Sequence, residues 1–131
     1  MRILLDTHCW LWLQATPERI PGDVLEALAS PENDLFLSAA SAWEIAIKYA
    51  LGRLPLPHPP QQYVQSRMAT SGTAGLPVEI RHAVQVASMP GHHRDPFDRL
   101  LVAQAQLEDL TLLTADAQLE AYAVELWRVS C

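Results

Sequence analysis

The chain has 131 residues, half of them hydrophobic, with no long polar tract, which is the size and apolar content of one globular domain, 1–131, able to bury a core. Its formal net charge of −6 excludes a protein that grips nucleic acid through a broad basic face. The opening "MRILLD" carries too short an apolar run for a signal peptide or a membrane span, and a cytoplasmic protein without membrane contact is expected.

In chain order, apolar runs of strand length stand at 2–5 ("RILL"), 35–38 ("LFLS"), 111–114 ("TLLT") and 124–127 ("VELW"). "LPVEI" at 76–80 offers a further short strand, which Pro77 confines to an edge or a strand start. Helical spacing fills the intervals at 8–15, 21–29, 40–51, 60–70, 79–88, 96–108 and 117–122. Pro21 and Pro96 suit first-turn positions, Gly52 a helix stop, and "LPLPHPP" at 54–60 an extended connector. Strand and helix in alternation predict an α/β fold with a parallel sheet of four to five short strands. Cys9 and Cys131 form no CxxC pair and are read as a buried thiol and a tail thiol.

In an open parallel sheet, ligands bind beyond the carboxyl ends of the strands, so acids are sought there first. Asp6 follows the first run directly, Asp116 follows "TLLT" closely, Glu44 lies in the helix after "LFLS", and Asp98 opens the helix before "TLLT". Taken singly, each has a simpler role. Asp6 and Asp116 suit helix caps, and Glu44 completes an S-x-x-E capping box with Ser41 and an i,i+4 pair with Lys48. In "HRDPFDRLLVAQA", Asp95 is a natural N-cap, Pro96 a first helical residue and Asp98 a first-turn acid.

Coincidence changes the balance, since independent caps have no reason to supply four acids at one sheet edge. Two carboxylates about 4 Å apart repel by roughly 4 kcal/mol at an effective dielectric near 20. A divalent cation removes that repulsion, and oxygen-only ligands favour Mg²⁺ or Mn²⁺ over zinc.

Four stretches in order resemble the PIN-domain ribonucleases, and more narrowly the VapC toxins of bacterial toxin–antitoxin pairs: "LLDTHCWLW" from Leu4, "SAASAWEIAIKYALGRL" from Ser38, "HRDPFDRLLVAQA" from His93 and "LLTADAQL" from Leu112. The resemblance implies a three-layer α/β/α fold. It makes Asp6, Glu44, Asp98 and Asp116 the catalytic, metal-binding acids, with Thr114 as a supporting hydroxyl and Asp95 as N-cap with a supporting contact. The implied reaction is metal-dependent hydrolysis of RNA, and the implied partners are a VapB-type antitoxin and a second copy of the chain.

Arg94, Arg99 and Lys48 neighbour the acids, where surface ion pairing is the simpler role and phosphate steering the other. His92 and His93 are read as exposed loop residues outside the site, and Trp10, Trp12, Trp43, Phe97 and Trp127 as core or interface. Trp10 and Trp12, two apart on one helix, point in different directions, so one of them is free to meet a partner.

Rival readings fit less well. A signalling receiver needs an acid pair after the first strand and a late Lys, whereas Thr7 follows Asp6 and Lys48 is the single Lys; a dehalogenase-type phosphatase needs an acid where His8 stands. A nuclease-dead PIN or receiver-like protein-binding module is the alternative.

Overall fold

The apolar runs pair as parallel strands because both of their faces are covered. The computed structural model describes residues 1–91 and 95–129. Among these, five strands form one sheet: β1 (Arg2–Leu5), β2 (Asp34–Ser38), β3 (Thr73–Leu76), β4 (Thr111–Thr114) and β5 (Leu126–Arg128), in the order β3-β2-β1-β4-β5, all parallel.

The period-two alternation of a strand divides the core. Ile3, Leu5, Leu37 and Leu113 pack on one face with Trp10, Val24, Ile45 and Val64, while Leu4 and Leu112 pack on the other with Leu101, Val102 and Leu119. Leu4 pairs with Leu112 and Leu5 with Leu113 in the β1–β4 register.

The helices are α1 (Thr7–Ala15), α2 (Gly22–Ala29), α3 (Ala39–Ala50), α4 (Pro60–Ser71), α5 (Ile80–Gln85) and α6 (Pro96–Glu108), giving the α/β/α layers expected. α1 and α3 each start directly after a strand, at the carboxyl edge of the sheet. α6 precedes β4 and runs against it, so its start lies at that same edge. β1 has β2 on one side and β4 on the other, so the point where the chain switches sides, and where a crevice opens in such sheets, lies at the carboxyl ends of β1 and β4.

Three expectations shift. The strand foreseen at 76–80 is β3, Thr73–Leu76, ending before Pro77 rather than containing it. Its sequence "TAGL" has little apolar alternation to read, and it forms at the sheet edge by backbone pairing with β2. The helix foreseen at 117–122 is a 3₁₀ turn, Ala117–Ala121, and that at 79–88 is α5 followed by a 3₁₀ turn, Val86–Ser88. His92, His93, Arg94 and Cys131 lie outside the described residues; Cys9 is buried and forms no disulfide among the described residues.

α4 ends at Gly72, whose φ of 67° is left-handed and turns the chain straight into β3. Gly72→Ala places a Cβ in that conformation and is expected to lower the unfolding free energy by about 1 kcal/mol. A urea melt measures this, and an unchanged midpoint would contradict the role given to Gly72.

Candidate functional site

Asp6 is the residue on which the strand-to-helix turn of β1 and α1 closes. Its backbone N–H donates to Leu113 O (3.0 Å), and its Oδ1 accepts from the Cys9 N–H (2.8 Å) as the N-cap of α1. The second oxygen, Oδ2, accepts from the buried Thr114 hydroxyl at 2.5 Å. Thr114 Oγ1 in turn accepts from the Asp116 N–H (3.0 Å), so one hydroxyl links the ends of β1 and β4. Asp116 is half-buried and caps the 3₁₀ turn through the Gln118 N–H (2.9 Å).

Glu44 lies on the buried side of α3 and is 3% exposed; Asp6 is 5% exposed. Glu44 Oε2 pairs with Lys48 Nζ at 2.9 Å, the i,i+4 pair expected. Its other oxygen, Oε1, is buried with no hydrogen-bond partner among the described residues. The capping box does not form. Ser38, not Ser41, caps α3 through the Ala40 N–H (3.0 Å), and Ser41 is buried, its hydroxyl accepting from Thr7 Oγ1 (2.9 Å). That bond ties the residue after Asp6 to the residue one turn before Glu44.

At the start of α6, Asp95 accepts from the Phe97 N–H (2.9 Å) and the Asp98 N–H (3.5 Å), the N-cap foreseen, and Asp98 is half-buried in the first turn. α3 and α6 are held together by an edge-on contact of Trp43 and Phe97, ring centroids 5.5 Å apart at 73°. These two residues immediately precede Glu44 and Asp98.

The fold therefore brings all four acids to one sheet edge and joins the segments that carry them. It does not bring three of their oxygens together: among the described residues, the group whose ligating atoms lie within 4.8 Å of one another is Glu79, His82 and Glu108. That trio is internally satisfied. His82 Nδ1 accepts from the Glu79 N–H (2.9 Å), Nε2 faces Glu108 Oε1 (3.1 Å), and the Arg81 guanidinium contacts both Glu79 and Glu108. A guanidinium already supplies the positive charge there, and the imidazole has no lone pair to spare, since Nδ1 is taken and Nε2 bears the proton. The trio clamps α5 to α6.

Of the aromatic residues foreseen as core or interface, Trp10 is wholly buried and donates from Nε1 to Thr73 Oγ1 (3.2 Å), and Trp12 lies half-buried under the Arg19 guanidinium. Trp43, at 64% exposed, is not a core residue of the chain. A groove of about 540 Å³ between α3 and α4, lined by Ala42, Tyr49, Val64 and Met68 among others, holds none of the four acids.

Sequence reasoning had Thr114 only from family resemblance; its burial between two acids gives it a physical role. Thr114→Val removes both a donor to Asp6 and an acceptor for the Asp116 N–H. It is expected to cost about 1–3 kcal/mol in a thermal melt, with Thr114→Ser recovering most of the loss; equal stability of all three would contradict the link.

Comparison with known proteins bears on the family and the fold. Residues 3–125 match the family model of the PIN domain. A 50-residue stretch, 38% of this chain, is 56% identical to 36% of the length of Ribonuclease VapC16 of Mycobacterium tuberculosis. Ribonuclease VapC22 of the same organism is 28% identical over 92% of this chain and 91% of its own. In fold, the chain resembles VapBC2 from Rickettsia felis bound to a promoter DNA fragment, with TM-score 0.73 and 16% identity over 99% of this chain and all of that one. It also resembles FitAcB from Neisseria gonorrhoeae, with TM-score 0.60 and 24% identity over 96% of each chain. With the family model covering nearly its whole length, the chain belongs to the PIN domain family.

Proposed function

We propose that this protein is a metal-dependent endoribonuclease of the VapC toxin type, one domain that hydrolyses RNA phosphodiesters at the carboxyl edge of its sheet and is held in check by a cognate antitoxin. The observation that carries the reading is Glu44 Oε1, a buried carboxylate oxygen without a hydrogen-bond partner among the described residues, at the edge that also carries Asp6, Asp98 and Asp116. Burying an ionised group without full compensation costs several kcal/mol, so such an atom points to a missing cation. The ribonuclease names of the two Mycobacterium relatives support the activity.

The donor set fits a hard divalent ion. Asp6, Glu44, Asp98 and Asp116 offer oxygen alone, which suits Mg²⁺ or Mn²⁺. When bound, such an ion neutralises the phosphodiester and lowers the pKa of an attacking water.

The chain's own residues prepare the place. Thr114 and the Cys9 N–H fix both oxygens of Asp6. Lys48 holds one oxygen of Glu44 and keeps a positive charge at the rim of the site. The starts of α1, α3 and α6 direct their positive dipole ends to the same edge, where they favour the acids and an incoming phosphate alike. Asp95 acts as a cap that sets the first turn of α6, and so the place of Asp98, without itself holding the ion.

The antitoxin assignment draws on the toxin–antitoxin structures whose fold this chain shares, and the homodimer on the resemblance of its four sequence stretches to the family. A dimer near twice 14.6 kDa is expected by light scattering, and a monomer at micromolar concentration contradicts it.

Freed of antitoxin, the protein is expected to cleave RNA with Mg²⁺ or Mn²⁺ and to stop in excess EDTA; undiminished cleavage in EDTA would sink the proposal. Metal at one hundred times its dissociation constant raises stability by about 2.7 kcal/mol. Asp6→Asn, Glu44→Gln and Asp98→Asn are each expected to lose most of that shift together with activity. Asp95→Asn, which still caps, keeps it. If Asp95→Asn abolishes the shift and Asp98→Asn preserves it, the roles of these two residues are reversed.

A further inference from the structure

Trp43 is the one tryptophan of the four that is predominantly exposed, and its place is specific. It precedes the buried Glu44 on α3 and meets Phe97, which precedes Asp98 on α6. An indole 64% exposed to water serves neither of the two cores.

We propose that Trp43, steadied by Phe97, is a stacking platform for an unpaired nucleobase of the RNA strand beside the acids, an inference that rests on the nuclease reading above. The chain's net charge of −6 makes the long-range field unfavourable to RNA, so affinity must come from short-range contacts. An aromatic face provides one that is indifferent to charge, because every base has a π-face and stacking is sequence-tolerant. The edge-on packing at 73° keeps the two rings from stacking on each other, and the exposure of Trp43 leaves ring surface open to a base. The platform is expected to select single-stranded over paired RNA, since only an unstacked base can lie on it. Lys48, one turn beyond Glu44 and with a 38% exposed side chain, places a cation on the same helix for the adjoining phosphate.

The test uses the full-length protein and a short, unstructured, fluorescein-labelled RNA in EDTA, so that binding is read without cleavage. Trp43→Ala is expected to weaken binding by about tenfold or more, and Trp43→Phe to restore most of it, as stacking on an aromatic ring allows. Because stacking releases no counterions, the ratio of the two dissociation constants should hold as salt is raised, while both affinities fall. Added RNA should quench the tryptophan emission of the parent protein, and Trp43→Phe should abolish most of that quench, since Trp10 is wholly buried, Trp12 lies under Arg19 and Trp127 packs half-buried against the core.

If the parent protein cuts RNA but Trp43→Ala binds and cuts it equally well, the platform is overturned and the nuclease reading stands. If the parent neither binds nor cuts RNA, both fall. Loss of binding in Trp43→Ala accompanied by a changed oligomeric mass would assign the indole to a protein contact and overturn the platform.

Discussion

Two carboxylates, Asp6 and Glu44, are withdrawn from water at the carboxyl edge of a parallel sheet, and much of the local structure follows from what offsets that cost. For Asp6 the compensation is complete: an N-cap amide on one oxygen and a buried hydroxyl on the other. For Glu44 it is partial, with Lys48 on one oxygen and no hydrogen-bond partner among the described residues on the other. Buried charges are strongly destabilising when a partner is missing. Under the proposed function a cation meets that oxygen, and the fold brings three further acids, Asp6, Asp98 and Asp116, to the same edge of the sheet.

Convergence comes from topology rather than from local sequence. β1 and β4 are neighbours in space although more than a hundred residues apart, and Thr114 bridges their ends. α6 runs antiparallel to the strands, which carries Asp98 back to the edge where β1 ends. α1 and α3 start at that edge because parallel strands must be followed by a return crossing. The hydroxyl pair of Thr7 and Ser41 and the ring pair of Trp43 and Phe97 then join residues next to the acids or one turn from them, which ties the segments that carry them together.

The central strands, the long helices and the capping by Asp6, Asp95 and Asp116 were legible in the sequence because period-two runs, Pro96 and the strand-end acids carry local signals. β3 was displaced by a few residues because "TAGL" has no apolar alternation and forms only against β2. The S-x-x-E spacing of Ser41 and Glu44 was a misleading cap signal: helix start and strand end abut at Ser38, so the hydroxyl there caps first and frees Ser41 to meet Thr7. The exposure of Trp43 had no signature, since "SAWEIAIK" reads as an apolar helical face and the partner that leaves the indole standing at the surface is Phe97, far along the chain. The clamp of Glu79, His82 and Glu108 was equally hidden, because its members are drawn together only by the packing of α5 on α6.

The site assignment and the clamp make opposite statements about where a metal settles, and crystals soaked in Mn²⁺ decide between them through anomalous scattering. The account predicts a Mn²⁺ peak bounded by carboxylate oxygens of Asp6 and Glu44, with Asp98 or Asp116 drawn in, and none at His82. A peak confined to Glu79, His82 and Glu108, with the Asp6 edge empty at saturating Mn²⁺, would contradict it.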